Sequence, residues 1–221
     1  MKLLVINPNT GQATTDRLKS FIGPTLPPNV SFTCVTAKFG FPYIASEESY
    51  AVATHAVLET WKAFREQCLE NELPDRILLA CFGDPGLYAM REVCTQPVRA
   101  LAEAAFEDAA ALGSFAIVTG GERWKPMLQR LADGLGYGNG LGSQLTSIET
   151  VSQTGVELLA NPSMAIEVLT TACQKAASPK VKSIILGGAG LAGYAKLVQP
   201  FVNVPVVDSV EAGVRRTLEN T

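Results

Sequence analysis

Ile77-Leu78-Leu79-Ala80-Cys81-Phe82-Gly83-Asp84-Pro85-Gly86 is the stretch on which the reading of this chain turns. Its first four residues form a short apolar run of the kind found in strands buried on both faces. Glycines at 83 and 86 end the run and let the backbone come close to a ligand. Asp84-Pro85 reads as a helix start, a side-chain cap followed by proline in the first turn. Cys81 thus stands at the carboxyl end of a buried strand, where open α/β sheets bind their ligands.

The pattern returns further along. Leu186-Gly187-Gly188-Ala189-Gly190 aligns with Leu79-Ala80-Cys81-Phe82-Gly83 at an offset of 107. Pro97-Val98 and Glu103-Ala104 recur as Pro205-Val206 and Glu211-Ala212 at an offset of 108, and apolar runs starting at Leu3 and Phe115 lie 112 apart. Three landmarks in order at nearly constant spacing predict an internal repeat. Strands are expected at Leu3–Ile6, Phe32–Thr36, Ile77–Ala80, Phe115–Thr119, Leu145–Glu149, Ile184–Leu186 and Val206–Val207. Helices are expected near 11–22, 47–70, 85–93, 100–111, 123–134, 162–177, 191–199 and 209–219. This alternation predicts an α/β fold of two pseudo-symmetric lobes, each a mostly parallel sheet flanked by helices, with the active site in the cleft between them. The N-terminal lobe is expected to comprise 1–97 plus 209–221, and the C-terminal lobe 98–208. Gly134–Ser143, with five glycines in ten residues, is expected to be a loop.

Bulk properties exclude several classes. Eighteen Lys+Arg against 21 Asp+Glu leave a net charge of −3, with no basic tract, so nucleic acid is not an expected partner. No apolar run reaches the roughly 18 residues a membrane span needs. The apolar stretch at Met1–Asn7 is too short for a signal peptide, so the chain is expected in the cytoplasm with its cysteines reduced. Five cysteines at 34, 68, 81, 94 and 173, widely spaced and without a C-x-x-C pair, argue against a disulfide framework or zinc knuckle. A single histidine, His55, rules out a His-rich metal centre, and no metal is expected. Gly187–Gly190 lacks the spacing of a dinucleotide or P-loop motif.

The pseudo-two-fold sets Cys81 opposite Gly188. Asn7–Thr10, Cys81–Asp84, Thr119–Gly121 and Gly187–Gly190 are expected around the cleft, and a small molecule is the expected ligand. The Asp84-Pro85 helix start is expected to favour a thiolate at Cys81 through its N–H groups and dipole. The other four cysteines are expected to be packing residues.

The blocks Ile6-Asn7-Pro8-Asn9-Thr10, Ala80–Leu87, Ile117-Val118-Thr119 and Leu186–Gly190 resemble the signature blocks of hydantoin racemases, within the aspartate/glutamate racemase superfamily, whose close relatives act on allantoin. Pro42-Tyr43-Ile44-Ala45-Ser46 resembles that family's variable substrate-side loop. The resemblance implies cofactor-independent proton transfer next to a carbonyl, with two cysteines flanking the substrate, and relatives that commonly form homo-oligomers. Under it Cys81 is the catalytic acid/base, and Asn9, Ile44, Phe82, Gly83, Thr119, Gly120, Gly188 and Ala189 contact substrate. Asn9 and Thr119 side chains and the glycine-loop N–H groups are expected to hold its oxygens. The family's second cysteine falls at Gly188, which has no side chain to protonate anything and widens the pocket. Three chemistries stay open. They are an isomerase acting on a cyclic ureide or amino-acid derivative, with water, Tyr194 or a loop residue replacing the second thiol; a one-cysteine, decarboxylase-like lyase; and an isomerase with Cys81 as nucleophile. A non-catalytic small-ligand binder is the non-enzyme alternative.

Overall fold

A computed structural model describes residues 1–219; the last two residues of the segment 209–221 lie outside the described residues. Strands β1 (Lys2–Asn7), β2 (Ser31–Thr36), β3 (Arg76–Leu79) and β4 (Val98–Ala100) form one parallel sheet in the order β2-β1-β3-β4. Strands β5 (Phe115–Gly120), β6 (Leu145–Val151), β7 (Ser183–Gly187) and β8 (Val206–Asp208) form a second in the order β6-β5-β7-β8. The two orders are the same order shifted by four strands, which is the internal repeat in three dimensions. The two lobes and their parallel sheets are as the repeat predicts.

Beyond the first residue of β1 and β3, the inner strands β1, β3, β5 and β7 are buried on both faces, and their alternate residues go to different cores. Leu3 and Val5, Leu78 and Ala80, and Phe115 and Ile117 join one cluster that runs through both lobes. Leu4, Ile6, Ile77 and Leu79 face an outer core of the first lobe. Ala116, Val118, Ile184 and Leu186 face that of the second. Strands sandwiched between two helical layers have no solvent face, so their sequences are apolar throughout rather than alternating.

The helices are α1 (Gln12–Ile22), α2 (Glu47–Glu66), α3 (Leu87–Val93), α4 (Leu101–Leu112), α5 (Trp124–Gly134), α6 (Gly155–Ala160), α7 (Pro162–Ala176), α8 (Tyr194–Val198) and α9 (Ser209–Leu218). Helix α4 lies against β7 of the second sheet, α9 lies against β3 and β4 of the first, and the two pack on each other. They are the middle layer of the shared core.

Three local expectations need correcting. Val98–Ala100 pairs with β3, so the first sheet extends three residues past the 97/98 division. Its three residues, with Arg99 at the centre, are too short and too polar to show as an apolar run. Helix α6 was not expected either, although Thr154-Gly155-Val156-Glu157 has the spacing of a reciprocal N-terminal cap. The structure forms that cap: Thr154 Oγ1 accepts from the Glu157 N–H, and Glu157 Oε2 accepts from the Thr154 N–H at 2.7 Å. Finally, Asp84-Pro85 does not begin a helix. Helix α3 starts at Leu87 after a left-handed Gly86, and Asp84 itself has φ of 58°.

The lobes interlock through aromatic rings seated on glycines. The Phe82 ring from the first lobe covers Gly187 so closely that a Cβ on residue 187 would lie 2.2 Å from a ring carbon. In the other direction the Trp124 indole covers Gly83, where a Cβ would lie 2.5 Å away. Both rings are nearly fully buried. Gly187→Ala should therefore destabilise the fold by about 1–3 kcal/mol through overpacking. Combined with Phe82→Ala, which removes the ring, it should cost at least about 0.5 kcal/mol less than the sum of the two single changes. Urea denaturation of the four variants measures this coupling; strict additivity would mean the ring does not rest on Gly187.

Candidate active site

Between the sheets, at the carboxyl ends of β1, β3, β5 and β7, lies a cleft with about 530 Å³ of atom-free space including its mouth. Of the residues expected to contact substrate, Asn9, Ile44, Phe82, Thr119, Gly120, Gly188 and Ala189 line it together with Cys81. Gly83 does not. It lies under the Trp124 ring, and its carbonyl accepts a 2.9 Å hydrogen bond from Tyr50 Oη. Gly83 thus seats the lobe contact rather than facing the cleft.

The side chains expected to hold ligand oxygens differ from one another. Asn9 Oδ1 accepts from the Gly11 N–H at 2.9 Å and from Asn7 Nδ2 at 3.0 Å, which fixes the amide and leaves its Nδ2 donors for the cleft. Thr119 Oγ1 instead donates to the Gly187 carbonyl at 2.8 Å. Its proton is spent tying the end of β5 to the end of β7, so Thr119 positions the loops and has no donor left for a ligand. The Gly188 N–H is likewise held by Ser209 Oγ at 3.1 Å. Tyr194, considered as a substitute donor, is buried in the second lobe with its hydroxyl donating to the Leu158 carbonyl at 3.3 Å.

Cys81 is 8% exposed at the end of β3. Burial pushes its thiol well above the ordinary range, and the nearby Asp84 charge adds to the effect. The expected helix-dipole assistance does not compensate. A helix terminus contributes about 0.3–1 kcal/mol, less than one pKa unit, whereas full burial shifts a group by up to about 3–5 units. Moreover, the nearest helix begins at Leu87 and is only seven residues long. Among the remaining cysteines Cys173 is buried in the second outer core, and the other three are partly buried away from the cleft.

Asp84 reaches away from the cleft to the next element. Its Oδ1 accepts from the Ala102 N–H and its Oδ2 from the Glu103 N–H, both at 2.8 Å, capping the first turn of α4. The left-handed backbone at Asp84 aims the carboxylate there. In the second lobe Asp208 caps α9 and accepts the Gly193 N–H at 2.6 Å, tying the loop after β7 to that helix. Both cleft-side loops are thus fastened to the middle helices.

The cleft also has lining residues outside the expected contact set, among them Trp124, Gly155, Val156 and Tyr43, the last within the expected substrate-side loop. Tyr43 lies beside Ile44 in the 42–46 loop, whose ends are pinned. The Thr10 N–H donates to the Phe41 carbonyl at 3.0 Å, and Ser46 caps α2 through Ser49. Gly155 and Val156 were legible through the Thr154–Glu157 cap; Trp124 had no signal, because its role depends on a partner in the other lobe. Among the described residues no cluster of His, Cys, Asp or Glu could hold a metal ion, and no helix is long and apolar enough to cross a membrane.

With this geometry the chain resembles known proteins over nearly its whole length. A family model described as Asp/Glu/Hydantoin racemase matches residues 3–217. A hydantoin racemase of Pseudomonas sp. (strain NS671) is 32% identical over 217 residues, covering 97% of this chain and 84% of its own. A hydantoin racemase of Paenarthrobacter aurescens is 32% identical over 218 residues, covering 97% and 89%. Among solved structures, allantoin racemase from Klebsiella pneumoniae superposes with a TM-score of 0.87 at 30% identity, covering 98% of this chain and 86% of that one. Allantoin racemase from Pseudomonas fluorescens gives a TM-score of 0.88 at 26% identity, covering 98% and 89%.

The Asp84 cap makes a pH prediction. Burial outweighs its backbone hydrogen bonds and pushes its carboxyl up to about 7 from an ordinary value of 3.8. Between those values the folded chain holds a proton that the unfolded chain has lost, so this group's contribution to stability falls as pH rises from about 4 to about 7. Thermal melts across that range should show the decline in the parent chain and a flatter profile in Asp84→Asn. Identical profiles would contradict the assignment.

Proposed function

The chain belongs to the Asp/Glu/hydantoin racemase family, and from that premise we propose that it is a cofactor-independent isomerase acting on a small cyclic ureide of the hydantoin or allantoin type, or a related amino-acid derivative. The observation that carries this reading is a single thiol, Cys81, at a strand end inside a narrow interlobe cleft walled by glycine loops. In its thiolate form Cys81 removes the hydrogen from the carbon beside the substrate carbonyl. The electron pair moves onto the carbonyl oxygen as an enolate.

Stabilising that enolate is the main task, since a preorganised donor at a developing oxyanion is worth about 2.7–4 kcal/mol. Two sets of donors are suited to it. Asn9 keeps Nδ2 for the cleft, and the turn Ala189–Leu191 opens on the cleft with first N–H groups that no bond within the turn can satisfy. Phe82, Ile44 and Trp124 wall the cleft with apolar surface, which strengthens these bonds.

Gly188 has φ of 143° and ψ of 132°, a backbone conformation that residues with a Cβ rarely adopt. Space is less restrictive there, the nearest atom to a Cβ being Leu191 Cγ at 3.3 Å. Position 188 is therefore shaped around glycine, and the thiol on the first lobe works without a thiol facing it.

Single enantiomers of 5-substituted hydantoins and of allantoin incubated in D2O should exchange the hydrogen on the carbon beside the carbonyl, followed by NMR. Cys81→Ser should abolish this exchange, and full activity in that variant would overturn the assignment. Because burial holds the thiol protonated at neutral pH, kcat/KM should climb with pH, about tenfold per unit while the thiolate is the minor form. A rate that falls from pH 7 to pH 9 would contradict Cys81 as the base.

A further inference from the structure

If the chain is a racemase, a proton must reach the substrate face turned away from Cys81, and Gly188 cannot deliver it. The described residues lining the cleft offer few candidates. Asn9 is an amide, and the Thr119 proton is committed to the Gly187 carbonyl. Apart from Cys81, the one lining side chain whose proton can be lost as an acid is the phenol of Tyr43.

The course of Tyr43 across the molecule makes it more than a wall. It leaves the first lobe on the loop between β2 and α2, yet its hydroxyl lies among second-lobe atoms. Tyr43 Oη is 3.4 Å from the Gly120 carbonyl at the end of β5. A Cβ built on Gly155 would lie 3.3 Å from that oxygen, so the glycine at 155 leaves the room the phenol occupies. The end of β5 is bonded to the end of β7, where Gly188 follows, whereas Cys81 ends β3 in the other lobe. The hydroxyl is thus placed on the side of the cleft that lacks a thiol.

The bonding around the oxygen also suits a donor. Its own O–H makes only a long contact, at 3.4 Å, and is free to turn. Burial is the largest influence on the phenol, while the neighbouring Gly155 backbone and Trp124 side chain favour the phenolate left behind once the proton has gone. Burial acts in the opposite direction and keeps the free phenol protonated, with Cys81 adding to that.

We propose that Tyr43 is the second proton-transfer group of this chain, standing in for the side chain that Gly188 lacks, in a thiol–phenol pair that acts on a substrate held between the lobes. This rests on the racemase reading above. In one direction the Cys81 thiolate takes the hydrogen, forming S–H and the enolate. Tyr43 Oη–H then gives its proton to the opposite face of the same carbon, forming the new C–H bond and leaving a phenolate. Transfer of the S–H proton to the phenolate through water, after product leaves, restores the starting state. In the other direction the phenolate is the base and the thiol the acid. No oxidant, metal or second substrate enters the balance.

The test is Tyr43→Phe, which keeps the ring and removes only the hydroxyl, assayed on both enantiomers of one hydantoin in D2O. Polarimetry reads inversion, and NMR reads deuterium incorporation with retention. Inversion should fall at least about 100-fold, the usual contribution of a positioned acid. Deuterium incorporation into the enantiomer whose hydrogen faces Cys81 should fall much less, by under about tenfold. Loss of inversion and exchange in equal measure would overturn the proposal by making Tyr43 a positioning residue. Inversion at the parent rate would overturn it outright. If the parent chain itself exchanges neither enantiomer, the racemase reading fails first and the pair falls with it. Far-ultraviolet circular dichroism and a thermal melt of the variant separate any of these from a folding defect.

Discussion

Everything in this structure depends on two aromatic rings, each seated on a glycine of the opposite lobe. Phe82 follows directly after Cys81 and rests on Gly187, while Trp124 opens α5 and rests on Gly83. Rings carry large buried areas and rigid geometry, so such contacts hold two lobes at a defined spacing. Three of the four residues that hold the lobes together, Phe82, Trp124 and Gly187, also line the cleft. The spacing of the cleft and the stability of the lobe contact are therefore one property.

The repeat is symmetric in its sheets and asymmetric in its fittings. Sheet orders coincide, and α4 and α9 form a shared middle layer. The fastening of loops to those helices differs. In the first lobe the loop contributes the acid, Asp84, which bends into a left-handed backbone to reach α4. In the second lobe the residue that caps the helix contributes it, Asp208 at the end of β8 reaching back to the loop. A duplicated fold needs the connection between loop and helix, and either partner can supply the carboxylate. The same asymmetry extends to the cleft, where one strand end carries a thiol and its counterpart carries a glycine in a conformation suited to glycine.

Burial governs the chemistry. A helix terminus near Cys81 would have favoured the thiolate, but a fraction of a pKa unit from a dipole is small beside the cost of keeping a charge out of water. The same dry surroundings would strengthen any donor that faces an oxyanion held in the cleft. A site that is slow to ionise is thus also one that holds the charge well once it has formed.

The sequence by itself determined every strand but the short β4, the grouping into two like lobes, and Cys81 at a strand end. These are local matters, since apolar runs, glycine breaks and a repeat at nearly constant offset are written along the chain. It also located Asn9, Phe82, Thr119, Gly120, Gly188 and Ala189 at the cleft, because strand ends of a parallel sheet point one way, while Ile44 followed from the resemblance of the 42–46 loop to a family's substrate-side loop. The tertiary structure alone decided what each side chain does there. Asp84 turned out to cap α4 rather than its own helix, Thr119 spends its proton on Gly187, and Gly83 lies beneath Trp124. What Tyr43 and Trp124 do in the cleft depends on contacts with distant segments, Tyr43 with Gly120 and Gly155 and Trp124 with Gly83. A hydrogen bond or a ring on a glycine is a relation between distant segments, and no local pattern encodes which partner arrives.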